Sequence, residues 1–116
     1  MFTALVNDFR DADHLSPQRM SKRLRLPLVE FARIARLHRN TLANPASPAV
    51  QARLEPIARI LAQVEELTGN PDQAIVWFRH QPLPGHDGRT AQDLVEAGQS
   101  NAVLAYLEDL RDGAYA

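Results

Sequence analysis

At Ser16-Pro17 and again at Asn70-Pro71 a capping residue is followed at once by proline. That pairing suits the first turn of an α-helix, where a side-chain oxygen serves the free N–H groups and the missing proline N–H is no loss. Gln73 stands where it would complete a capping box on Asn70, and Thr90-Ala91-Gln92-Asp93 repeats the device with an acid. Ser100 or Gln99 opens a last helix carrying Val103, Leu104, Leu107 and Leu110, a three-four repeat that predicts one buried face ending at Asp112-Gly113. With so many helix starts in 116 residues, the expectation is an all-α fold of about six helices.

The first ten residues place Phe2, Leu5, Val6 and Phe9 at helical spacing, for the core or for a dimer contact. The helix that starts at Ser16-Pro17 is limited by Pro27, which can sit in the first turn of another with Phe31, Ala32, Ile34 and Ala35 facing inward. From there to about residue 44 the pattern is that of a helix-turn-helix, with Leu37 after the turn and Leu42 anchoring a second helix. His38, Arg39, Asn40 and Thr41 would then face base edges, arginine suiting guanine and asparagine adenine, while Lys22 and Arg23 would hold phosphates. Arg36 occupies the turn, where glycine is usual because the backbone enters the left-handed region, so a distorted turn is expected.

Asn44-Pro45-Ala46-Ser47-Pro48 is the clearest boundary. It divides an N-terminal helical region (1–47, with the helix-turn-helix at about 27–44) from a connecting helix (48–69) and a C-terminal domain (70–116). Val50, Leu54, Ile57, Leu61 and Val64 make a stripe on the connecting helix, either an internal core or a dimer seam, and Gly69 stops it. Pro56 either kinks that helix or delays its start to about Glu55. Trp77 is expected in the core, and the segment from His80 to Arg89, with two prolines and two glycines, in a loop.

The net charge of −1 conceals an asymmetry: eight Lys or Arg against four Asp or Glu through Ser47, then five against ten. The basic run is a solvated helix face or a nucleic-acid surface, and the acidic second half speaks against nucleic-acid binding by the chain as a whole. There is no cysteine, which removes disulfides and thiolate metal sites and fits the cytoplasm. No membrane span or signal pattern is present. Neither Asp8, Asp11, Asp13 and His14 nor His80, His86 and Asp87 have metal-site spacing. No phosphate loop, nucleophile elbow or Ser–His–acid set is evident, and Glu65-Glu66, being adjacent, face apart. The expectation is a binding protein, with no enzymatic activity and no cofactor.

One ordered set of residues goes further. Ala74, Trp77, Leu83-Pro84-Gly85, Gly88-Arg89-Thr90, Asp93-Leu94-Val95, Gly98 and Gly113-Ala114-Tyr115 resemble the toxin-binding domain of the ParS/MbcA/Xre antitoxins, though Ala91 stands where that family usually has proline. The resemblance covers the C-terminal half closely and the N-terminal half loosely. It implies a type II antitoxin that binds and neutralises a RES-domain toxin, an NAD-destroying enzyme, and that represses its own operon as a homodimer on operator DNA. It also implies a toxin-binding surface on the Thr90 and Ser100 helices, and a tail of Gly113, Ala114, Tyr115 and Ala116 lying near or in the toxin's NAD pocket. The tail chemistry suits that place, since Gly113 frees the chain direction, Ala114 and Ala116 are small, and Tyr115 has a ring that can stack. A frayed end is the plain alternative. A DNA-binding regulator whose C-terminal half only dimerises, and an interaction adaptor without DNA, are the alternatives to the whole reading.

Overall fold

A computed structural model describes residues 3–113; Phe2 and Ala114 to Ala116 lie outside the described residues. The fold is all-α apart from one minimal hairpin. Helices α1 (Ala4–Phe9), α2 (Pro17–Arg23), α3 (Leu28–Ile34), α4 (Pro48–Thr68), α5 (Pro71–His80), α6 (Ala91–Glu96) and α7 (Ser100–Gly113) follow in order. Between α1 and α2, strands β1 (Arg10–Asp11) and β2 (His14–Leu15) pair antiparallel in register Arg10↔Leu15 and Asp11↔His14.

The caps perform as their chemistry requires. Ser16 and Ser47 accept from the backbone N–H groups of Arg19 and Val50, each just ahead of a first-turn proline. Thr90 and Asp93 form a full capping box. At α5 only half the expected box forms: Asn70 Oδ1 accepts from the N–H groups of Asp72 and Gln73, but its own N–H donates to Thr68 Oγ1, not to Gln73.

Helix α4 is the spine. It is continuous from Pro48, so the start near Glu55 is replaced by one helix that tolerates Pro56 inside it. The carbonyl that Pro56 leaves without a donor belongs to Ala52, an exposed position. Val50, Leu54, Ile57, Ile60, Leu61 and Val64 are buried, and α1, α5 and α7 pack against them. One core runs from Leu5 and Phe9 through Phe31 and Ile34 to Phe78, Leu94 and Leu107, joining all three segments that the proline-rich boundary and Gly69 delimit. The stripe on α4 and the face of α1 are therefore both used within this core.

Side chains of α4 also serve distant backbone. Glu65 accepts from the N–H groups of Ala4 (3.2 Å) and Leu5 (3.0 Å), capping α1 from outside. Gln51 accepts from Leu15 N (2.9 Å) and donates to the carbonyls of Leu15 (2.8 Å) and Pro45 (2.9 Å), tying the hairpin and the 44–48 linker to the spine. Gln51→Leu leaves part-buried groups without partners and is expected to lower stability by roughly 2 kcal/mol. Urea denaturation with an unchanged slope would measure it.

One expectation at the C-terminal end is corrected. Leu110 is 42% exposed, and only Val103 and Leu107 of its stripe are buried, with Leu104 half-buried. Among the described residues of α7 the buried face ends at Leu107, a turn early. Helix α7 runs to Gly113, the last described residue.

Candidate functional site

The region expected to be a helix-turn-helix has its first helix and its turn but not its second helix. Helix α3 ends in a Schellman motif: Leu37 N donates to Ala32 O (2.8 Å) and Arg36 N to Arg33 O (3.1 Å), with Arg36 at φ +60°. The turn is thus regular, not distorted. Beyond it stands only a 3-10 turn, Arg39–Ala43, with no side-chain cap and no buried residue. Leu42 is half-buried and does not anchor a helix. His38, Arg39 and Asn40 are exposed and Thr41 is half-buried, its hydroxyl donating to His38 O (2.7 Å). A helix here would run into Pro45, which disfavours helical backbone at Asn44, and without a buried face nothing offsets that.

Much of the basic run is committed within the chain. Arg36 Nη1 donates to Glu96 O (3.1 Å) at the end of α6, and its guanidinium lies against Gly98. Arg33 Nε pairs with Glu96 at 3.4 Å. These contacts clamp the α3 turn to the α6–α7 corner, where Gly98 holds φ +79° in a Schellman motif of its own. A left-handed arginine costs about 1 kcal/mol relative to glycine, and the charged hydrogen bond to Glu96 returns about as much. Arg36→Gly is therefore expected to change stability by less than about 0.5 kcal/mol, which thermal denaturation would read as an unshifted midpoint.

Arg23, expected to hold a phosphate, instead bridges two carboxylates, Asp8 at 3.0 Å and Asp72 at 3.2 Å. Burial alone would lower its pKa; the hydrogen bonds and charges of Asp8 and Asp72 outweigh that and raise it above the ordinary arginine value. Beside it Arg79 Nη1 donates to Leu24 O (3.2 Å), so α5 holds the end of α2 at two points. Arg19, Lys22 and Arg25 have no ion pair among the described residues, and with Asp8 and Arg23 they line a shallow cleft of about 590 Å³.

In the C-terminal half, the residues of the family pattern are mostly structural. Ala74 and Leu83 are buried, and Leu83 N donates to Arg89 O (2.9 Å) to close the loop before α6. Gly85 and Gly88 take left-handed backbone in that loop. Thr90 and Ser100 stand at the starts of α6 and α7, Thr90 engaged in its capping box and Ser100 half-buried. Trp77 is not fully in the core: half-buried, it lines an outer groove on α5 with Thr68, Gln73, Val76 and His80. From Glu108 to Gly113 every residue of α7 is exposed. Next to it a cleft of about 200 Å³ is lined by Gln63, Glu66, Leu67, Leu107 and Arg111, with Leu67 50% exposed.

Among the described residues no group of three His, Asp or Glu gathers as a metal site, and no helix is long and apolar enough to cross a membrane. Compared with protein-family models, curated proteins and solved structures, the chain matches none.

Proposed function

We propose that this chain is an antitoxin of the ParS/MbcA/Xre kind, whose C-terminal half binds a RES-domain, NAD-degrading toxin in the cytoplasm and neutralises it by covering the active site. The resemblance in residues 74–115 is the ground of the reading. The observation that carries it further is the free end of α7. Six consecutive exposed residues, Glu108 to Gly113, continue a helix past its last buried side chain, Leu107. A helix end whose residues are all exposed among the described residues suits a segment that a partner covers. Leu110, and Leu67 at the end of α4, provide exposed apolar surface of the kind interfaces use. The tail residues Ala114, Tyr115 and Ala116 follow directly and are the part assigned to the NAD pocket.

Operator binding by a homodimer is the second reading, since two half-sites need two readers. The exposed Arg39 and Asn40 favour it, although a 3-10 turn offers them a shorter platform than a recognition helix.

Co-expression with the product of an adjacent RES-domain reading frame tests the proposal. A complex that survives affinity purification and size exclusion supports it. A toxin that elutes alone beside folded, unbound chain sinks it.

A further inference from the structure

Helices α2 and α3 end alike, each with a Schellman motif whose left-handed position is an arginine, Arg25 at φ +59° and Arg36 at φ +60°. At α6 the same position is Gly98, which takes this backbone without strain. Arg36 has a return for its strain in the bond to Glu96. Arg25 has none: its backbone makes the motif that glycine would make equally well, and its exposed side chain has no partner among the described residues. Strain held without an internal return points to a use outside the chain.

The surroundings of Arg25 say what kind of use. Arg19 and Lys22 lie one turn apart on α2, and both line the same cleft as Arg25. Asp8, the one acid in that lining, is bound to Arg23, which is itself held from the far side by Asp72. Three cations therefore remain unneutralised. The exposed residues of α2 are Gln18, Arg19 and Lys22, so nothing apolar on that helix can enter a lipid surface or anchor a protein interface. A row of cations without apolar anchors is sufficient for one polymer, because phosphate contacts gain from counterion release alone.

We propose that the α2 cleft, through Arg19, Lys22 and Arg25, binds the phosphate backbone of duplex nucleic acid without reading its sequence. This rests on neither the toxin partner nor base contacts by the 38–41 turn. The full chain binds two labelled duplexes of unrelated sequence equally, and log affinity falls with log salt at a slope of about −3, one increment per phosphate neutralised. Arg25→Gly separates function from fold. It raises the melting temperature by about 4 °C and flattens the salt slope by about one, and Lys22→Gln flattens the slope equally without the thermal gain.

Fluorescence anisotropy across a salt series, with melting curves on the same samples, decides it. Absence of binding by folded protein at low salt overturns the proposal, as does an Arg25→Gly variant that binds as tightly as the parent. Equal or tighter binding to phosphatidylserine vesicles or to polyglutamate overturns it in favour of those partners. A strong preference between the two duplexes that Arg39→Ala abolishes overturns it in favour of the 38–41 turn. Toxin neutralisation is read in a separate assay, so neither outcome there bears on this one.

Discussion

Phe78→Ala is expected to remove about 3–5 kcal/mol of stability, a large part of the 5–15 kcal/mol typical of a domain. Phe78 is fully buried on α5, the helix that packs against both the spine α4 and the following α6. Truncating it leaves a cavity where three helices meet, and their backbones can close it only in part. Val76, two residues earlier on the same helix, is 59% exposed, and Val76→Ala should stay within about 0.5 kcal/mol of the parent. The single tryptophan, Trp77, lies between them, half-buried against the core, and its emission reports unfolding in urea. Equal midpoints for the two variants would mean that α5 is not held to the core as described.

The second large effect is functional. Deleting Ala114 to Ala116 should leave the melting temperature nearly unchanged, because the last buried side chain among the described residues is Leu107 and termini beyond the packed core tolerate truncation. The shortened chain should still bind the toxin through the α6 and α7 surfaces, yet protect NAD at least about ten-fold less well at matched occupancy, a difference of about 1.4 kcal/mol in blocking the site. Tyr115→Ala should show part of that loss. Equal protection by parent and truncated chains would move the block from the tail to the helical body.

What was legible in the sequence was what local chemistry decides. Ser16, Asn70 and Thr90 announce helices because a cap is satisfied within three residues of itself. The same locality made the left-handed backbone at Arg36 readable. The start of α4 at Pro48 was one of the two that the prolines left open, and whether Pro56 breaks a helix depends on the exposure of the turn before it, a tertiary matter. The second helix of the expected helix-turn-helix failed for a related reason. Leu37 and Leu42 fit the helix-turn-helix pattern, but no residue of 39–43 is fully buried, so packing does not favour a helix there.

The committed arginines were equally illegible. Arg23 with Asp8 and Asp72, and Arg36 with Glu96, are pairings between residues far apart in the chain. The charge run therefore looked uniform, although the fold divides it into clamps and a remainder open to solvent. The one available signal was that Arg25 and Arg36 sit alike, each two residues past the end of its helix. At the candidate site the family pattern marked residues that shape the loop before α6, and the projecting end of α7 became visible only once Leu110 proved to be exposed.

Neutralisation of an NAD-destroying partner is read most directly as NAD remaining over time with a purified RES-domain toxin, alone and with equimolar full-length chain. Consumption is expected to stop once the chain is equimolar with toxin, and heat-denatured chain to give no protection. NAD loss that proceeds at the same rate with folded chain in excess would contradict it.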